Sequence, residues 1–113
     1  MTRIQVAGMI GPICVSSDDG NTLNRAIRPL LDGGESVLLD FAGVKTLASV
    51  FLNAALGALY ADYDHTRLDS GVACEGLSAA NESVVRLVRR NAVKFYSARQ
   101  PEQDALLAVN CGE

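Results

Sequence analysis

The sequence predicts a single α/β domain, with a mixed β-sheet of about four to five strands and about three to four helices packed on it. Its 113 residues can bury one hydrophobic core and are too few for two. Apolar residues make up 49% of the chain and charged residues 20%, as in ordinary globular proteins. Short apolar runs alternate with segments of helical periodicity in the order β, β, α, β, α, β, α. The short connections between these segments favour one sheet covered by helices.

The first elements are predicted to be a β-hairpin and a helix. Residues 3–15 form apolar runs interrupted by Gly8 and Gly11, the pattern of two short strands joined by a turn. Leucine and isoleucine then recur at helical spacing over residues 19–31, and a Gly-Gly pair follows. Pro29 lies late in this segment, so we expect the helix to kink or to end early there.

The strand, loop and helix in the middle of the chain form its most informative pattern. Residues 36–41 are apolar without alternation, as expected of a strand covered on both faces, and include Asp40 near the end. A loop at residues 42–46 leads to Ser49, which is predicted to cap a helix running to about Tyr63. Apolar residues cover much more than one stripe of that helix, which indicates that most of its surface is buried against a sheet or against a partner chain. The function should lie where the strand end and the helix start meet.

The last third of the chain is predicted to add a strand and an amphipathic helix. Residues 62–70 are polar and are interpreted as a connector. The short strand Val72–Cys74 follows a crossover helix, which implies parallel pairing. A helix then begins at Ser78. Its apolar face is formed by Val84, Val85, Val88, Ala92 and Phe95.

The domain is predicted to span residues 1–100, with residues 101–113 as a separate tail. This tail begins after the long amphipathic helix and is polar over most of its length. Ala105–Val109 is its apolar part, and the pattern fits either a short terminal helix or an edge strand. The core of the domain is therefore assigned to the residues before the tail.

Charge and cysteine pattern argue against several classes of protein. The net charge of -3 disfavours a nucleic-acid partner, because phosphate neutralisation needs a concentrated positive surface. Cys14, Cys74 and Cys111 are widely spaced, so we expect neither a disulfide framework nor a zinc site. No apolar run reaches the length of a membrane span, and we expect a cytoplasmic protein. His65 is the single histidine, so we expect no metal, no cofactor and no enzymatic activity.

Three short segments resemble a known family. Leu38–Val44 holds a Leu-Asp-Phe-x-Gly-Val strand end, Ala48–Asn53 holds a Ser-x-Phe helix start, and Ala55–Gly57 continues that helix. Together they are similar to the STAS-like domain family of unknown function, which is related to the anti-sigma factor antagonists. The resemblance implies a STAS-like fold over most of the chain. It also implies a non-enzymatic regulatory domain that binds another protein, with a histidine-kinase-like ATPase as the natural partner.

The predicted partner surface lies at residues 40–53. In anti-sigma factor antagonists, the resemblance implies, the corresponding loop carries an Asp-Ser pair whose Ser is phosphorylated by a partner kinase. Ser49 stands at that Ser, but Ala48 replaces the Asp, so an N-cap is favoured over phosphorylation. Asp40 is predicted to brace the loop. The residues of this surface are Asp40, Gly43, Ser49, Val50, Phe51 and Asn53.

Further hypotheses stand beside this one. Arg86, Arg89, Arg90 and Lys94 recur at helical spacing, which fits either a solvated face or a docking surface for an acidic partner. The alternative function is a small-ligand or nucleotide-binding module, such as a component of a phage or bacterial defence system. Its ligand would lie at the N-terminus of the Ser49 helix. The apolar surface of that helix also fits a homodimer.

Overall fold

The structure, a computed structural model, describes residues 1–99 of the chain. Within them it contains five α-helices, one 3₁₀ helix and five strands. The predicted tail at residues 101–113 lies outside the described residues. In chain order the elements are β1 (Thr2–Gln5), α1 (Val6–Met9), β2 (Ile13–Cys14), α2 (Ser17–Asp32), β3 (Val37–Asp40), β4 (Thr46–Leu47), α3 (Ser49–Ala55), the 3₁₀ helix (Gly57–Ala61), α4 (His65–Gly71), β5 (Val72–Glu75) and α5 (Ala79–Arg99).

The strands form two parallel sheets. The larger sheet has the order β1-β3-β5, with Thr2 beside Val37 and Val37 beside Val72. The smaller sheet pairs β2 with β4, and Ile13 lies beside Thr46. The predicted α/β class is confirmed. The strands are nevertheless divided between two sheets instead of one, and the described pairs are all parallel instead of mixed.

The predicted hairpin over residues 3–15 is wrong. β1 and β2 belong to different sheets, and α1 with the turn at Gly11 separates them. Val6 is fully buried at the start of α1, so the extended backbone ends at Gln5. Pairing with β3 instead places Ile4 in the core, where burial of its side chain stabilises the fold.

One face of the larger sheet is buried. Ile4, Leu39 and Val72 are at most 8% exposed and pack in one core with side chains from α2, α3 and α5. The opposite face carries exposed polar side chains, including Arg3 and Glu75. β3, which the sequence predicts to be covered on both faces, is therefore fully buried on one face only.

α2 runs through a proline. It begins after the N-cap Ser16, whose hydroxyl accepts the Asp19 N–H at 3.1 Å. It continues past Pro29 to Asp32, so of the two predicted outcomes, a kink or an early end, the early end is wrong. Pro29 removes only one intrahelical bond, and its carbonyl still accepts the Gly33 N–H at 3.0 Å.

The helix after the central loop is shorter than predicted. It was expected to reach Tyr63, but α3 ends at Ala55 and the 3₁₀ helix follows over Gly57–Ala61. Two neighbouring large side chains of the 3₁₀ helix, Leu59 and Tyr60, both lie in the core, at 1% and 6% exposure.

The connector predicted at residues 62–70 contains a helix, α4. Leu68, which is 1% exposed, holds this helix to the core. One apolar residue among polar neighbours produces no helical period, so the sequence gives no sign of the helix. The interpretation of this segment as a simple connector is therefore wrong, because most of it is helical.

α5 begins where the sequence predicts. The Ser78 hydroxyl accepts the Asn81 N–H at 3.1 Å and so caps the helix. Phe95, which the spacing assigns to the apolar face, is instead 55% exposed. Within residues 1–99, no helix combines the length and the apolar composition needed to cross a bilayer.

Candidate functional site

Asp40 ends β3 and connects three strands. Its Oδ1 accepts the Ala42 N–H at 2.9 Å, and its Oδ2 accepts a hydrogen bond from Arg3 Nη1 at 2.7 Å. The same Arg3 nitrogen donates to Glu75 Oε2 at 2.7 Å, which joins β1, β3 and β5 across the exposed face of the sheet. Glu75 foremost, together with Asp40, raises the pKa of the Arg3 guanidinium. These contacts agree with the predicted role of Asp40 as a brace of the loop.

Two glycines fix the loop that follows Asp40. Gly76 has a φ of 76°, and a Cβ there would lie 2.7 Å from the Ala42 nitrogen, so only glycine permits this approach. Gly43 has a φ of 90°, and a Cβ there would lie 3.3 Å from the Ala7 Cβ in α1. The loop is thus held between β5 and α1. The role that the structure shows for Gly43 is conformational.

The start of α3 is held by the smaller sheet. The Ala48 N–H donates to the Cys14 carbonyl at 2.9 Å, and Cys14 itself is fully buried. Ala48 is the N-cap, since the backbone is extended there (φ -106°, ψ 150°) and helical afterwards, and its side chain offers no capping hydrogen bond. The predicted N-cap role of Ser49 is therefore wrong. Ser49 is the first helical residue, and its side chain is exposed.

An exposed apolar surface lies beside the start of α3. Ile13, Val15 and Val50 are 50%, 41% and 49% exposed. The first two flank the buried Cys14, and the hydrogen bond from Ala48 brings this part of the chain to the first turn of α3, which carries Val50. We define the β2–α3 surface as the exposed residues Ile13, Val15, Ser49, Val50 and Asn53.

The structure brings together only part of the predicted partner surface. Ser49, Val50 and Asn53 are exposed on α3, whereas Phe51 is 0% exposed and belongs to the core. Phe51 therefore orients the helix and is not accessible to a partner. The sequence prediction missed two exposed apolar residues, Ile13 in β2 and Val15 directly after it. Ile13, Cys14 and Val15 are all apolar, so no local pattern separates the exposed Ile13 and Val15 from the buried Cys14.

Arg89 lies at the centre of a hydrogen-bond network between α5, the 3₁₀ helix, α4 and β5. Its Nε donates to the Tyr60 hydroxyl, its Nη1 to the Val72 carbonyl and its Nη2 to the Leu68 carbonyl, each at 2.9 Å. Its side chain is 19% exposed. Burial raises the pKa of the Tyr60 hydroxyl, while the Arg89 charge acts in the opposite direction. Arg89 therefore stabilises the fold and does not share the exposed face that its spacing predicts.

The other predicted basic residues, Arg86, Arg90 and Lys94, are exposed on α5. The first two border a groove of about 590 Å³ between α4 and α5. A second groove, of about 340 Å³, lies between the α3 region and α5. Neither groove is lined by Ser49, where the alternative ligand site was predicted. The smaller groove is lined by Asn53, Gly57, Asn91, Ala92, Phe95 and Tyr96.

The central part of the domain matches a protein family. The family described as the STAS-like domain of unknown function matches residues 19–79, more than half of the chain. The chain belongs to this STAS-like family. The match includes the whole predicted partner segment at residues 40–53, and the predicted resemblance is confirmed. No curated protein and no solved structure gives a significant match.

Two parts of the domain are not covered by the match to the STAS-like family. β1 and β2 precede the matched residues 19–79, and almost all of α5 follows them. Ile13 and Val15 of the β2–α3 surface are therefore in the first of these parts. The basic residues of α5 are in the second. Both features are properties of this chain that the family match does not describe.

The STAS-like domain carries two free cysteines among its described residues, Cys14 and Cys74. Burial raises the pKa of both thiols, and the Arg89 charge partly opposes this for Cys74. Both thiols are therefore protonated at neutral pH and are weak nucleophiles. Across the described part of the chain, no group of three His, Cys, Asp or Glu side chains is placed to hold a metal ion.

Proposed function

We propose that this STAS-like domain is a non-enzymatic regulatory domain that binds a partner protein through the β2–α3 surface. The observation that supports it is the exposure of three branched apolar side chains, Ile13, Val15 and Val50, beside the start of α3. Covering such side chains removes apolar area from water and so favours association. Ser49 and Asn53, exposed on the same surface, would supply hydrogen bonds that orient the partner.

The support beneath the β2–α3 surface favours binding without rearrangement. The hydrogen bond from Ala48 to Cys14 fixes the smaller sheet against the helix start. Phe51 and Leu52, both 0% exposed, anchor α3 in the core directly below the exposed residues. A surface that is already ordered loses little conformational entropy when a partner binds, so more of the contact energy contributes to affinity.

A histidine-kinase-like ATPase is the partner that we propose. This choice rests on the resemblance to the anti-sigma factor antagonists, which dock onto ATPases of that kind. Ser49 is exposed, and a phosphate there would add about two negative charges beside Val50. Such charge opposes burial of Val50 in the complex. Ser49→Asp therefore imitates the phosphorylated domain, which would be dissociated from its partner. The free thiols of Cys14 and Cys74 fit a cytoplasmic location.

Photo-crosslinking in cells of the native host identifies the partner. A benzophenone amino acid replaces Val50 in one strain, and in a control strain it replaces Ala80, which is exposed in the first turn of α5. We expect an adduct that forms from the first position and not from the control. It should contain a protein with an ATP-binding site of the histidine-kinase type. An adduct common to both positions, or none from either, contradicts the proposal.

Binding to the captured protein then tests the surface. Val50→Asp and Ile13→Asp are each expected to weaken affinity by about tenfold or more, about 1.4 kcal/mol, because the partner would bury an unpaired carboxylate. Ser49→Asp should weaken it as well. Ala80→Asp makes the same charge change elsewhere and should leave affinity unchanged, with circular dichroism confirming that every variant is folded. Equal affinity in all four variants overturns the proposal.

A further inference from the structure

The exposed side of α5 carries positive charge and an aliphatic side chain together. We propose that it binds an acidic segment of a partner protein, one that presents an apolar side chain among its carboxylates. This inference concerns a second surface and does not depend on the β2–α3 surface. The α5 basic face, as we define it, consists of Ser83, Arg86, Leu87, Arg90 and Lys94.

The positive charges of the α5 basic face are weakly compensated within residues 1–99. Arg86 pairs with Glu82 at 3.4 Å, but both side chains are more than half exposed, so the pair contributes little. Arg90 and Lys94 form no ion pair with any described residue. A chain whose net charge is -3 therefore places a group of cations on one side of one helix.

An exposed aliphatic residue lies within this group of charges. Leu87 is 46% exposed, directly after Arg86 and one turn before Arg90. These three residues border the groove of about 590 Å³, whose far side is formed by Asp69 of α4. From end to end the face spans about three helical turns, or about 16 Å. The groove thus offers an apolar contact flanked by guanidinium groups.

An acidic protein segment matches this chemistry better than a nucleic acid does. Guanidinium groups bind carboxylates through paired hydrogen bonds, and carboxylates one helical turn apart match the spacing of Arg86 and Arg90. Leu87 needs an apolar partner, which a protein side chain supplies and a sugar-phosphate backbone does not.

Fluorescence polarisation with two synthetic peptides tests the proposal. The first peptide has about 15 residues, with glutamates one helical turn apart and a central leucine, and the second has glutamine at every glutamate position. We expect the full chain to bind the glutamate peptide about tenfold more tightly than the glutamine peptide, and less tightly as salt rises. The pair Arg90→Glu with Lys94→Glu should reduce affinity by about tenfold or more. Leu87→Ser should reduce it by about threefold to tenfold.

A matched control separates local charge from net charge. Arg25→Glu with Lys45→Glu makes the same charge change at exposed positions outside α5 and should keep most of the affinity. Equal loss in this control, or equal binding of the two peptides, overturns the proposal. Tighter binding of a single-stranded oligonucleotide that depends on Arg90 and Lys94 would assign the face to nucleic acid and overturn it too. None of these variants changes a residue of the β2–α3 surface.

Discussion

Gly20 of α2 lies against the main chain of Phe51 in α3. A Cβ at position 20 would overlap the Phe51 carbonyl oxygen and would lie 2.7 Å from the Ala54 Cβ. Gly20→Ala must therefore push the two helices apart, and we expect it to lower the free energy of unfolding by about 2–4 kcal/mol. Urea denaturation measures the change. Gly8→Ala, whose Cβ would meet only Gln5 at 3.8 Å, is the control and should stay within about 1 kcal/mol of the wild type.

Removal of the Arg89 side chain should destabilise the domain strongly. Arg89→Ala leaves the Val72 and Leu68 carbonyls without the donor that they share, and we expect a loss of about 2–4 kcal/mol in the free energy of unfolding. Arg90→Ala is the matched control. Its side chain is exposed, so we expect a change within about 0.5 kcal/mol. Equal stability of the two variants would contradict the structural role assigned to Arg89.

Ala48→Asp should stabilise the domain. Ala48 is the N-cap of α3 and provides no side-chain acceptor, whereas Asp at this position can accept an N–H of the first turn and interacts favourably with the helix dipole. The expected gain in the free energy of unfolding is about 1 kcal/mol, measured by thermal and urea unfolding. Ala48→Val cannot cap and should give no gain. If both variants behave alike, the helix does not begin at Ser49.

Stability should fall in the alkaline range because of the buried thiols. Burial raises the pKa of Cys14 and Cys74 above the ordinary thiol value of about 8.5. Below that value both states hold their thiol protons. Above it the unfolded chain releases protons that the folded chain keeps, so the free energy of unfolding decreases until the folded thiols also ionise. Urea unfolding between about pH 7 and pH 10 measures this, and Cys14→Ala with Cys74→Ala should flatten the slope.

Elements that carry their own start signal and period could be predicted from the sequence. α2 and α5 each follow a serine N-cap, Ser16 and Ser78, and each has a regular apolar stripe. α4 could not be predicted, because its stability comes from contacts distant in sequence. In α4, Arg67 donates to the Leu31 and Glu35 carbonyls at 3.2 and 3.0 Å. The pairing of β2 with β4 likewise depends on residues that no local pattern connects.

In the candidate site, the sequence predicted where residues lie along the chain but not whether their side chains face solvent or the core. The strand-loop-helix motif predicted Ser49 and Val50 at the start of the helix, and both side chains are exposed there. It could not separate Val50 from Phe51, which are neighbours in sequence and point to solvent and core respectively. Arg89 and Arg90 differ in the same way. Whether an arginine is buried depends on the acceptors within its reach, and the spacing of charges does not reveal them.

The hydrogen bond from Arg89 to Val72 also bears on contacts between molecules. β5 is an edge strand of the larger sheet in the described part of the chain. The Phe41 N–H donates to the Glu75 carbonyl at 2.9 Å, so alternate groups of β5, including the Val72 carbonyl, face away from β3. A foreign strand adding to this edge would need that carbonyl, which Arg89 already occupies at 2.9 Å. The guanidinium thus protects the sheet against intermolecular strand addition and the aggregation that follows from it.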